Sequence, residues 1–235
     1  FPSFGPCPAN GAGSPGAMTA RPVDIITGAK RLGTSDFEDA AGHLFLKRIY
    51  TSKRYGDFAT PFRKTPIGLG NWQFDFQFEL QISTEWISAR RIAVATPDGR
   101  GLAFRRETSG AMSVYVDTAN PTPQTDYRLE FSGSWPGVLD NLANAQTSWK
   151  LTDADDTVWV LQTFLDPISG KYDVARPVSR TTREGLVLIC TYGAANQLTE
   201  IEDSYGKQIT VTWLMGSWSG GSFPRAMSEA VLPGG

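Results

Sequence analysis

Residues 72–82 read WQFDFQFELQI. Trp72, Phe74, Phe76, Phe78, Leu80 and Ile82 fall on one side of an alternation; Gln73, Asp75, Gln77, Glu79 and Gln81 fall on the other. Period two is the spacing of a strand, whose successive side chains point to opposite faces. A helix would scatter the same aromatics around its axis. The pattern predicts one strand with an apolar face and a wet face, the habit of antiparallel sheets.

The flanking sequence repeats this theme. Thr96-Pro97-Asp98-Gly99 separates Arg91–Ala95 from Leu102–Phe104, and Asp-Gly supplies the positive φ of a hairpin turn. Ser109-Gly110 precedes a strand from Met112 to Val116, Asn120-Pro121-Thr122-Pro123 breaks the chain, and Asp153-Ala154-Asp155-Asp156 leads into a strand over Thr157–Phe164. Short strands at this spacing predict a mainly β fold: antiparallel hairpins in a meander that forms a barrel, a curved sheet or a sandwich. Helices should be few. Ser35-Asp36-Phe37-Glu38 fits a capping box, with Gly42 stopping the helix soon after, and Val138 to Ala145 fits one or two turns.

Composition narrows the function classes. With 40% hydrophobic and 20% charged residues in 235, the chain is globular and long enough to bury a core. A net charge of −2, from 22 Lys and Arg against 24 Asp and Glu, argues against a dedicated nucleic-acid binder. No apolar run approaches the roughly 18–20 residues of a membrane span, and no N-terminal stretch reads as a signal peptide. Residues 1–20 are rich in Gly and Pro and predict an extended arm. A start at Phe1 rather than Met leads us to expect a piece of a longer chain. Cys7 and Cys190 are too few for a disulfide framework or a zinc site. A buried Cys190 acting as a small hydrophobe is the plain reading, and a Cys7–Cys190 bridge is the alternative.

Catalytic constellations are sparse, and we expect neither an enzyme nor a cofactor. His43 is the only histidine, and no Gly-x-Ser-x-Gly elbow accompanies it. Asp153-x-Asp155-Asp156 lacks the Gly and Glu of a calcium loop, which stand here as Val158 and Phe164, so it reads as an acidic hairpin turn. Of the carboxylate pairs Asp36/Glu38 and Glu200/Glu202, the second shares one strand face and reads as a solvated edge. No phosphate-binding glycine motif is present. Trp86, Trp135, Trp213 and Trp218 lie near turns or strand ends; core packing is the expected role for most tryptophans.

Two stretches carry a family pattern. Arg21-Pro22-Val23-Asp24-Ile25-Ile26-Thr27-Gly28-Ala29-Lys30, followed by Thr34-Ser35-Asp36-Phe37, resembles the opening of Rhs (YD-repeat) proteins, with Pro22, Val23, Thr27, Gly28, Asp36 and Phe37 as the matching residues. Lys47-Arg48-Ile49-Tyr50-Thr51-Ser52 and Gly68-Leu69-Gly70-Asn71-Trp72 resemble two further elements of that opening. Cys190 to Trp213 resembles a YD repeat through Tyr192, Leu198, Ile201, Asp203, Gly206 and Thr210. It departs at Gly193 (usually Asp), Asn196 (usually Gly) and Trp213 (usually Tyr). Asn is the best substitute for Gly at positive φ, so the turn should survive. Read by itself, the segment gives strands over Leu186–Tyr192, Leu198–Glu202 and Ile209–Trp213, joined by turns at Asn196-Gln197 and Ser204-Tyr205-Gly206.

The resemblance implies an arm over 1–20, an N-terminal β domain over 21–185, and over 186–235 a first repeat and the start of another. It implies a non-catalytic piece that starts or caps a β-shell of YD repeats enclosing a C-terminal toxin or effector. Its partners would be the rest of that shell and a secretion or delivery component. Its setting would be secreted or at the bacterial cell surface. Asp166-Pro167-Ile168-Ser169-Gly170 has one residue too many for the family's self-cleavage motif and reads as a turn. The rival reading is a β-sandwich that binds carbohydrate or a surface protein through exposed Trp. An unsealed sheet edge near 186–235 would favour the shell.

Overall fold

The computed structural model describes residues 30–51, 72–76, 79–82, 91–95, 101–106, 112–115, 127–132, 144–165, 170–172, 174–218 and 221–233. Among them lie fifteen strands and no helix. β1 (Arg31–Glu38), β2 (Phe45–Thr51) and β3 (Trp72–Phe74) form a three-stranded antiparallel sheet. β4 (Leu80–Gln81), β5 (Arg91–Ala95), β6 (Gly101–Arg106), β7 (Met112–Tyr115), β8 (Arg128–Ser132), β9 (Ser148–Thr152), β10 (Val158–Phe164) and β11 (Val174–Thr181) run as an antiparallel meander. β12 (Val187–Tyr192), β13 (Leu198–Asp203), β14 (Gln208–Trp218) and β15 (Gly221–Val231) continue it. The mainly β, antiparallel expectation holds.

The meander closes on itself. β11 pairs β10 along one edge, from Phe164↔Val174 to Val158↔Thr181. Its other edge is divided between two strands. The first half pairs β4 (Val174↔Gln81, Ala175↔Leu80) and the second half pairs β12 (Ser179↔Ile189 to Thr181↔Val187). Each strand from β4 to β11 thus has a neighbour on both sides, giving a ring of eight. Alternating side chains fill it, among them Leu80, Ile92, Val94, Phe104, Leu129, Trp149, Leu151 and Leu161, all buried. β12 to β15 leave this ring as an outgrowth of successive hairpins.

The 72–82 stretch is divided between the two sheets. β3 ends at Phe74, Asp75 and Phe76 turn, and β4 pairs in the ring. Phe74, Phe76, Leu80 and Ile82 are buried as the alternation predicts. The wet face is not: Asp75 is 7% exposed and Glu79 is 6% exposed. Cations from other segments face both carboxylates, so at Asp75 and Glu79 the polar side of the stretch also faces protein.

The capping-box expectation at Ser35–Glu38 also fails, because these residues are strand β1. β1 pairs β2 from Arg31↔Thr51 to Glu38↔Phe45, and Asp36 is the extra residue of a bulge between Ser35 and Phe37. The cross-strand ladder and the Asp36–Arg48 ion pair satisfy groups that a short helix would leave at its ends. The turn at Gly42 is real, with φ at +69°. Asn144 and Ala145 lie in a turn and bend, and the rest of the 138–145 helix expectation lies outside the described residues. So do residues 1–29, the Asp98-Gly99 turn and Asp166–Ser169.

Candidate functional site

Four hairpin turns share one backbone construction, and a fifth is a residue longer. In the turn from Asp203 to Lys207, the Asp203 N–H donates to the Lys207 carbonyl and the Gly206 N–H donates to the Asp203 carbonyl. Gly206 sits at φ +79°, the left-handed position of a three-residue hairpin loop. The Asp203 carboxylate then accepts the N–H groups of Tyr205 (2.8 Å) and Lys207 (2.9 Å). Asp153 does the same for Asp155 and Thr157, with Asp156 at φ +58°. Thr182 accepts from the Leu186 N–H through its hydroxyl, with Gly185 at +87°. Asp39 accepts from His43 and Leu44 in a loop one residue longer. The acidic run at 153–156 is thus a hairpin turn, with Asp153 as its internal acceptor.

The turn from Gly193 to Gln197 has no side chain at the acceptor position. Gln197 supplies one from the other end of the loop: its Oε1 accepts the Ala195 N–H at 2.9 Å. The amide of Gln197 occupies the space where a Cβ on Gly193 would lie. Asn196 takes the left-handed position at φ +58°, as expected for an Asn in a glycine's place. The departure at Asn196 is therefore accommodated by its positive φ, and that at Gly193 is offset for the Ala195 N–H.

The same turn anchors the outgrowth to the ring. Asn196 Nδ2 donates to the Leu165 carbonyl at the end of β10 (2.9 Å). Arg176 on β11 donates through Nη1 to the Asn196 carbonyl (3.0 Å) and through Nε and Nη2 to Glu79 Oε1 beside β4 (3.1 and 2.9 Å). One guanidinium thus joins the strand that closes the ring to the first turn of the outgrowth. Tyr192 strengthens the joint: its hydroxyl donates to the Pro177 carbonyl (2.8 Å), and its ring packs on Phe164 at 4.8 Å. Burial holds its phenol well above the usual range.

The repeat residues read from sequence fall together along β12 to β14. Leu198 and Ile201 enter the core, Asp203 caps its turn, Gly206 takes positive φ, and Thr210 pairs Glu200 and Val231. Trp213 is half-buried, and its indole N–H donates to the Leu198 carbonyl. Glu200 and Glu202 are half-buried along β13, and Glu202 accepts from Gln208 at 3.2 Å. Of the N-terminal motif, Asp36 pairs with Arg48, and Phe37 packs against the core. Pro22, Val23, Thr27 and Gly28 lie outside the described residues. Cys190 is a free, buried thiol, which burial pushes up to about 12.

The three-stranded sheet lies against the outgrowth. Phe37, Leu46 and Phe74 face Met227, Ala230 and Leu232 around a cavity of about 270 Å³, with Asp36 and Arg48 also lining it. Lys207 Nζ reaches Asp39 Oδ2 at 2.6 Å, and His43 stacks on Tyr205 at 5.0 Å. The Lys207 bond and the backbone N–H groups of Leu44 and His43 hold the Asp39 carboxyl down to about 2.

The last strand ends the sheet. β15 pairs β14 from Thr210↔Val231 to Trp218↔Gly221 and has no second neighbour among the described residues. Two bulges interrupt it, at Ser228 and Arg225, and Pro224 offers no N–H. Leu214 and Met215 on β14 and Val231 on β15 are exposed. Among the described residues, no cluster of His, Cys, Asp and Glu fit to hold a metal ion is found. No helix there is long and apolar enough to cross a membrane. Comparison with models of protein families and with curated proteins found no match for this chain.

Proposed function

We propose that this chain is a non-catalytic structural unit that starts or caps a β-shell of YD repeats around a C-terminal toxin or effector. One observation carries the reading: the β11–β12, β12–β13 and β13–β14 hairpins share one backbone turn design as they leave the ring, and the outgrowth ends in β15, an eleven-residue strand without a second neighbour among the described residues. A free edge of this length is a template for another strand. The bulges and Pro224 of β15 limit how freely an unrelated strand can add, which suits an edge kept for one partner. On this reading the ring is the base and the later repeats continue from β15. The setting would be the secreted or surface-delivered space of such shells, with a delivery component as a second partner.

The rival reading, a module binding carbohydrate through exposed Trp, has less support at Trp213, which is half-buried with its indole N–H donating to the Leu198 carbonyl; Trp86, Trp135 and the Trp218 side chain lie outside the described residues. Sedimentation of the 235-residue chain across a concentration series separates the two. The shell reading expects association that Ser228→Pro on β15 abolishes without lowering the melting temperature of the ring. A chain that stays monomeric throughout, with β15 amides protected from exchange, points to a self-contained module.

A further inference from the structure

Asp75 lies in the turn after β3, at the place where the three-stranded sheet meets the ring and the root of the outgrowth. Its carboxyl is buried, and its Oδ1 has no hydrogen-bond partner in the protein. Two cations face it, Arg180 from β11 and Lys47 from β2, and the Cys190 thiol faces it from β12. Arg180 is held between aromatic rings from both sheets: its Cζ lies 4.8 Å from the Phe45 centroid and 5.3 Å from that of Trp159. Phe45 and Trp159 each pack on Phe76, at 5.6 and 5.9 Å. The Arg180 Nε is also buried without a partner, and the acids facing Arg180 are Asp75, Asp153 and Glu184. So a buried carboxylate and a half-buried guanidinium sit in one aromatic-lined seam, within electrostatic reach, yet neither is fully bonded. The ionised carboxyl is therefore poorly compensated, whereas a protonated one suits a seam built of Phe45, Phe76 and Trp159.

We propose that Asp75 is a pH-operated latch between the three-stranded sheet and the ring, which docks the sheet firmly when protonated and loosens it when ionised. The proposal is independent of the shell reading. Burial is the leading influence on this carboxyl, opposed by Arg180, Lys47 and the backbone N–H groups of Lys47 and Asp75, and it lifts the group from 3.8 to about 7. A raised acid keeps its proton in the docked state after the released state has lost it. Docking is then strongest below the free value of 3.8 and weakens by up to about tenfold per pH unit until the raised value near 7, beyond which it is level.

Native-state hydrogen exchange on the full chain, carrying His43→Gln so that the single imidazole is absent, reads the opening directly. Protection factors for Leu46 and Arg48 in β2 should fall by up to about tenfold per unit from pH 5 to pH 7 and then level off. Those of Leu151 and Leu161 in the ring should change less. Asp75→Asn should abolish the slope at β2. A flat profile in the parent chain, a slope shared equally by the ring, or a slope that survives Asp75→Asn overturns the latch. Should Asp75→Asn not fold, the carbon-13 titration of the Asp75 carboxyl decides: a midpoint that coincides with the pH at which β2 protection levels off sustains the latch, and a midpoint elsewhere or in the ordinary carboxylate range refutes it.

Discussion

Gln197 accepts the Ala195 N–H as Asp153 and Asp203 accept the Asp155 and Tyr205 N–H groups in the equivalent turns. Replacing it with Ala leaves the Ala195 N–H without its acceptor and should cost about 1 kcal/mol in urea unfolding. Adding Gly193→Asp to that variant should recover most of the loss, because the carboxylate then sits where Asp203 has its own. Gly193→Asp alone would drive the Gln197 amide out of the space it fills and should gain nothing. Asp203→Ala is the harsher change, since it removes the acceptor of both the Tyr205 and Lys207 N–H groups; about 1–2 kcal/mol is expected. At this scale the sequence was largely legible. The turn chemistry of Asn196 and Gly206 is local, and both residues hold positive φ. The partnership of Gln197 with Gly193 was missed, although an acceptor side chain at the far end of a five-residue turn that lacks one at its start is a readable signal.

Among elements, the joint between β4, β11 and the β12–β13 turn depends on Arg176. Arg176→Met leaves the Glu79 carboxylate buried without its guanidinium and should cost roughly 3–5 kcal/mol. The pair Glu79→Gln with Arg176→Met should cost clearly less than that single change, and a double-mutant cycle measures the difference. Strands β5, β6, β7, β10, β12, β13 and the first part of β14 were readable because alternation and the turns beside them are short-range signals, whereas β2, β8, β9, β11 and β15 drew no strand reading. Two further stretches were misread. The 72–82 run has the alternation of one strand, but Asp75 and Glu79 meet Arg180 and Arg176, residues far along the chain, and pass into separate packing environments. Ser35–Glu38 has the letters of a helix start, and only its pairing with Phe45–Lys47 makes it a strand. Nothing within either segment announces the distant partner.

For the whole molecule, two carboxyls oppose each other as acidity changes. Asp39 is held down to about 2 from 3.8, so the stability it lends is present above 3.8 and is lost as pH falls toward 2. Asp75 is raised to about 7, so its share is present below 3.8 and is lost as pH rises toward 7. Their sum peaks near the shared free value, about pH 4, and melting curves from pH 2 to pH 8 should show a maximum on the acid side of neutrality. Lys207→Ala should flatten the acid limb by releasing Asp39, leaving the other limb in place. The ring itself was only half legible: a barrel was among the expected forms, but closure depends on the β10–β11 and β4–β11 pairings together. The divided edge of β11 also has a mechanical consequence. The outgrowth hangs from the ring by the pairs from Ser179↔Ile189 to Thr181↔Val187, while each ring strand is held on both sides. A pull on the chain beyond Val231 loads the outgrowth's hairpins as zippers, one bond row at a time. It should peel β15, then β14 and β13, as separate low-force steps. The ring would yield last, acting as a fixed spool from which a tensioned chain pays out.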